Sequence, residues 1–181
     1  MKVDLGASIH PSKARELASS TESAGYSAFW AAETNHDPFL SCALAATSTT
    51  GIEIGTGIAV AFARTPMALA VTAHDLQGMS GGRFVLGLGS QIKAHIERRY
   101  SMPWSQPAKR MREFVIALRA IWEAWETQAP LTFEGEFYRH SLMTPMFSPR
   151  HHGLGPPKIF LAGVGPRMTE VAGEVADGFI C

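Results

Sequence analysis

Apolar and polar positions switch between two periods along the chain. Short, β-prone apolar runs stand at Val3-Asp4-Leu5, Ala28-Phe29-Trp30, Ile52 to Phe62, Phe84 to Leu88, Ile159-Phe160-Leu161 and Phe179-Ile180. Between them lie segments of helical spacing with recognisable ends. Ser12 can cap a first helix that runs through Leu17 and stops at Gly25. Asp37 followed by Pro38 starts a second helix that ends near Gly51, and Thr65 followed by Pro66 starts a third that ends at Gly81-Gly82. Proline suits the first helical position because its missing N–H would have no intrahelical partner there. The fourth helix carries one apolar stripe of Met111, Phe114, Val115, Leu118, Ile121, Trp122 and Trp125, which core packing explains. The last helix follows Gly165-Pro166 and carries Met168, Val171, Ala172, Val175 and Ala176 before Gly178.

One segment interrupts this rhythm. Gln128 to Pro157 holds Leu131 to Tyr138, a hairpin pattern turning near Gly135, and then a loop with Pro145, Pro149, Pro156 and Pro157. Alternating strands and helices with apolar strands imply an α/β fold on a parallel sheet. An open doubly wound sheet and a (β/α) barrel both satisfy the pattern. A full eight-unit barrel takes about 250 residues. A chain of 181 residues that ends in its sixth strand would make an incomplete one, about six of eight strands, with the insertion between helix four and strand five.

Composition narrows the picture. The hydrophobic set makes up 46% of the residues and charged residues 18%, enough for one sizeable core, so residues 1–181 are expected to form a single domain. Sixteen basic residues balance sixteen acidic ones, so no nucleic-acid or anionic-membrane partner is expected. No apolar run nears the roughly 20 residues of a membrane span, and the N-terminus does not read as a secretion signal. Cys42 and Cys181 are too few for a disulfide framework or a zinc site. A cytoplasmic protein is the expectation.

In parallel α/β folds ligands bind at the C-terminal ends of the strands. After the second strand come Glu33, Asn35, His36 and Asp37. His36 is the best single candidate for moving a proton near neutrality, or else a loop histidine bonded to Asp37 or solvent. Glu33 could be a base, an orienting partner or a solvated loop carboxylate. The third strand contains Gly55-Thr56-Gly57-Ile58-Ala59, whose small residues fit a bulge, a close ligand approach or tight interior packing. The fourth ends in Gly87-Leu88-Gly89-Ser90-Gln91, followed by the charged run Lys93 to Arg99, a solvated helical face or an anion grip. The fifth ends in Gly163-Val164-Gly165-Pro166 just before a helix, a natural phosphate site to which Arg167 could add a contact. The adjacent His151 and His152 match no usual metal-ligand pattern, so no metal is expected, and His10 and His74 read as structural.

Taken in order, these strand ends resemble the bacterial luciferase-like superfamily, most closely its branch that uses the deazaflavin coenzyme F420. The residues that carry the resemblance are Glu33 to Phe39, Ile54 to Pro66, Ser80 to Gln91, Lys93 to Arg99 and Ala162 to Arg167. The resemblance implies a (β/α) TIM-type barrel. It implies His36 beside the cofactor ring, and a third-strand bulge at Gly57, Ile58 and Ala59, often with a non-prolyl cis peptide, behind that ring. Gly89 and Ser90 with Gly163, Val164 and Gly165 would line the cofactor. A glutamate that donates a proton in some relatives falls at Ile92 here, so Glu33 or Glu97 would have to substitute. Strands seven and eight of the family barrel are missing, so the chain reads as C-terminally short.

The resulting expectation is an oxidoreductase that transfers a hydride between coenzyme F420 and an unidentified organic small molecule. FMN in a luciferase-like monooxygenase is the alternative cofactor. A truncated barrel acting as an interaction module, or an inactive fragment, is the alternative outside catalysis. Two open sheet edges make a homo-oligomer, such as a dimer, the expected assembly.

Overall fold

The computed structural model describes residues 1–181. Its strands are β1 (Asp4–Ala7), β2 (Ala28–Ala31), β3 (Glu53–Thr56), β4 (Ala59–Val60), β5 (Phe84–Gly89), β6 (Phe133–Glu134), β7 (Arg139–His140), β8 (Lys158–Ala162) and β9 (Gly178–Ile180). Its helices are α1 (Ala14–Ser23), α2 (Pro38–Ala46), α3 (Pro66–Met79), α4 (Lys93–Arg98), α5 (Pro107–Thr127) and α6 (Pro166–Val175). Six strands pair in parallel in the order β1-β2-β3-β5-β8-β9, and β4 also pairs with β5. The sheet curls into a half-barrel with β1 and β9 at its edges, as accumulated strand twist favours.

Helices cover the convex face. The α5 stripe from Met111 to Trp125 is buried as its periodicity requires, and α5 packs on α3 and α6. The Trp122 indole donates to the Ala70 carbonyl at 3.1 Å, which satisfies the one polar group of that buried ring. The core is a continuous cluster of 35 buried residues from both layers. The insertion holds the antiparallel pair β6–β7, and Glu113 on α5 accepts the backbone N–H groups of Glu136, Phe137 and Tyr138. No helix is long and apolar enough to cross a membrane.

Three local expectations change. The first helix is not capped by Ser12. The Nδ1 atom of His10 accepts the Ser12 N–H at 3.2 Å and starts a single 3-10 turn, after which α1 begins. The second helix stops at Ala46, because the Thr47, Ser48 and Thr49 hydroxyls bond back to carbonyls of its last turn. The third apolar run is two strands. Gly55 pairs with Val85 and Ala59 with Leu88, so four steps on one strand face three on the other. That extra residue is a β-bulge.

Candidate functional site

All six parallel strands end on one rim, and the rim residues lie side by side because of the register. Ala59 and Val60 sit beside Leu88 and Gly89, and Leu88 sits beside Leu161. The Gly57 N–H donates to the Ala31 carbonyl at 2.8 Å, and the Glu33 N–H donates to the Ile58 carbonyl at 3.2 Å. The bulge is thereby stitched to the segment that follows β2. The peptide bond between Gly57 and Ile58 is cis, inside the segment the family resemblance singles out.

The loop from Glu33 to Asp37 is tied at both ends by one residue, Arg64. One guanidinium nitrogen meets the Glu33 carboxylate at 2.7 Å and the Val60 carbonyl at 3.1 Å. Its other terminal nitrogen meets Asp37 at 3.2 Å. The Glu33 side chain is only 6% exposed and also accepts the Val60 N–H at 2.7 Å and the Tyr100 hydroxyl at 3.0 Å. Neither the solvated loop carboxylate nor the free base of the sequence reading matches this arrangement. A carboxylate held by an arginine, an amide and a phenol orients its neighbours, which is the orienting partner of the sequence reading. Burial alone would lower the Arg64 pKa, but its bonds to Glu33 and the charges of Glu33 and Asp37 raise it. Burial and the Glu33 charge raise the Tyr100 pKa. Asp37 caps α2 by accepting the Phe39 N–H at 2.8 Å, as its place before Pro38 predicts.

His36 is half-buried on this anchored loop. Its ring meets that of His10 edge-on, with centroids 4.8 Å apart. His10 was read as structural, and it does cap a turn, but the parallel register of β1 and β2 also brings it to His36. Because His10 Nδ1 accepts an amide proton, a neutral His10 carries its own proton on Nε2. Arg99 and Tyr100 close the far side of a cleft of about 260 Å³, lined by Glu33, Thr34, Asn35, His36, Asp37 and Arg64. Glu97, the other acid named from sequence, pairs with Lys93 at 3.9 Å on the surface of α4.

The other expected cofactor residues form the next stretch of rim. A Cβ on Gly89 would lie 2.9 Å from Ile58 Cδ1 and 3.7 Å from the Ala162 Cβ, so the bulge, the end of β5 and the end of β8 touch there. Beyond Ala162 the Val164 side chain is wholly exposed, and Gly165 has a φ of +93° with open space around it. Asp37 and Thr65 cap α2 and α3 with their side chains, whereas no side chain caps α6. Pro166 has no N–H and the Thr169 N–H bonds the Gly165 carbonyl, which leaves the Arg167 and Met168 N–H groups at the start of α6 for an anion. Ser90 lies half-buried at the end of β5, with its hydroxyl donating to the Gln91 carbonyl at 3.1 Å.

Arg64, Tyr100 and the His10 contact were missed from sequence. Arg64 gave one usable signal, since it stands two residues before the capped α3 and next to a strand end. At the opposite end of the sheet, His152 stacks on His74 at 4.2 Å and packs the insertion loop onto α3.

The sequence profile of the family described as luciferase-like monooxygenase matches residues 2–181. An uncharacterized protein of Mycobacterium tuberculosis is 53% identical over 99% of this chain and 53% of its own length. A second protein of that organism, which carries the provisional name coenzyme F420-dependent oxidoreductase, is 31% identical over 94% of this chain and 51% of its own length. The chain thus spans about half the length of the curated relatives it matches. Among solved structures, the coenzyme F420 dependent tetrahydromethanopterin reductase from Methanopyrus kandleri superposes with a TM-score of 0.78 at 23% identity, covering 99% of this chain and 54% of that one. That likeness carries the fold: a curled half of a TIM-type barrel.

Proposed function

Because the chain belongs to the luciferase-like monooxygenase family, we propose that its strand-end rim binds the deazaflavin coenzyme F420 in an oxidoreductase acting on a small organic molecule. The observation that carries the reading is the convergence of three segments on one rim. The bulge at Gly57-Ile58-Ala59, the pair Gly89-Ser90 and the turn Gly163-Val164-Gly165 adjoin one another beside the anchored His36 loop. The 31% identical relative, named for coenzyme F420, supports the deazaflavin in particular.

When bound, the deazaflavin supplies a carbon that accepts or gives a hydride. The chain's residues do the rest. Ile58 backs the ring from the bulge. Val164 covers part of its apolar face. The free amides of α6 and the Ser90 hydroxyl take the polar tail. His36 holds the proton that accompanies hydride transfer, on a loop fixed by Glu33, Asp37 and Arg64. Glu33 is a positioning residue in this reading, because its oxygens already hold three donors.

The family's description as monooxygenases keeps FMN as a second reading, since both cofactors share a tricyclic ring. Separate fluorescence titrations of the 181-residue chain with coenzyme F420 and with FMN test both. Saturable micromolar binding of the deazaflavin alone is expected. Tighter binding of FMN would replace the deazaflavin reading, and no binding of either ring by folded protein would remove the cofactor site from this chain.

A further inference from the structure

The cleft beside His36 differs in character from the ring bed. Its lining of Glu33, Thr34, Asn35, His36, Asp37, Arg64, Arg99 and Tyr100 contains no aliphatic side chain. A flat aromatic ligand is held mainly by apolar surface, so such a wall suits a polar group. Four full charges face the cleft, and three of them satisfy one another. Arg64 bridges Glu33 and Asp37, and the remaining bonds of those carboxylates go to Val60 N–H, Tyr100 OH and Phe39 N–H.

Arg99 is the charge left over, with no carboxylate within ion-pair distance. It is nevertheless held in place. One guanidinium nitrogen donates to the Thr34 carbonyl at 2.7 Å, and the group lies 4.9 Å over the Tyr100 ring, which is itself fixed by Glu33. A guanidinium carries five N–H donors in a rigid fork. Most of them stay free here, and little side-chain entropy remains to be lost on binding.

We infer that this cleft binds the anionic group, a carboxylate or phosphate, of a small molecule, with Arg99 as its fork and His36 alongside. A substrate anchored there would bring its reacting carbon to the edge of the ring bed. Binding itself requires no cofactor, so this inference and the deazaflavin reading can fail separately.

The test titrates inorganic phosphate into the ¹⁵N-labelled 181-residue chain at constant ionic strength, following the Arg99 side-chain N–H and the His36 ring by NMR. Saturable shifts at both residues are expected. Arg99→Gln should weaken binding about tenfold or more, the loss typical of a charge-assisted fork. Arg150→Gln, in the distant insertion loop, should leave it unchanged. Shifts that never saturate, equal affinity in the Arg99 variant, or equal weakening in the Arg150 variant would overturn the site. Two further arms separate the sources of the anion. If phosphate binding persists with coenzyme F420 bound, the anion belongs to the substrate. If coenzyme F420 displaces phosphate and its phosphate-free riboside does not, the cofactor's own phosphate supplies the same chemistry.

Discussion

The loop after β2 and the turn after β8 stand on the same rim but are built in opposite ways. Glu33, Thr34 and Asp37 are each held by side chains from other segments, drawn from Arg64, Arg99 and Tyr100. Gly163 to Gly165 has one local tie, the Thr169 hydroxyl of the following helix on the Gly165 carbonyl at 3.1 Å, and no hydrogen bond from a distant side chain: Val164 is fully exposed and α6 begins without a side-chain cap. A group that handles a proton must be held at a fixed position, because small misplacements slow transfer steeply. A turn that receives a ligand's backbone-bound tail must keep its amides unspent. On the proposed function, the contrast separates a preorganised wall from a receiving one.

The most damaging change to the wall is Arg64→Met. It leaves the buried Glu33 carboxylate without its cation and should cost about 3 kcal/mol in urea denaturation. A loss under about 1 kcal/mol would mean that the clamp is ornamental. Tyr100→Phe removes one donor from the same carboxylate and should cost about 1 kcal/mol. It should also broaden or shift the His36 ring resonances, since the loop then has one tie fewer. High pH probes the same tie. The Tyr100 pKa lies above its ordinary value of 10.0 because of burial and the Glu33 charge. The stabilisation is therefore complete below pH 10 and declines as pH rises through the folded pKa. Wild-type protein should lose more stability between pH 9 and 11 than Tyr100→Phe does, and parallel curves would contradict the tie. On the receiving side, Val164→Ala should leave stability unchanged within about 0.5 kcal/mol. Its effect should instead be a several-fold weaker affinity for the deazaflavin ring. A stability loss larger than that of Tyr100→Phe would erase the distinction between the two loops.

How much of this was legible depended on the range of the interaction. Asp37-Pro38 and Thr65-Pro66 announced helix starts because a cap and its amide lie within three residues, and both caps are present. The parallel sheet followed from strand–helix alternation, whereas the glycines around Thr56 left a bulge, a close ligand approach and tight packing open, and only the family resemblance pointed to the bulge that the pairing shows. The end of α2 was misplaced because the threonine and serine hydroxyls that close it compete with the helix locally, which glycine-based stop signals do not register. The Glu33–Arg64 and His10–His36 contacts join residues 31 and 26 positions apart. They exist only once the strand register is set, so no local spacing announced them. Glu33 shows the consequence: sequence left base, orienting partner and solvated carboxylate open, and the long-range bonds to both its oxygens favour the orienting partner.

The central claim is that a deazaflavin ring lies across the bulge and the turn after β8, beside the anchored wall. The most direct measurement is nuclear Overhauser contacts between the ring protons of bound coenzyme F420 and assigned methyl groups of the 181-residue chain. Contacts to Ile58 and Val164, with a further one to the His36 ring, are predicted. Saturating cofactor that shows contacts to neither methyl-bearing residue, or to the insertion loop near His152 instead, would contradict the account.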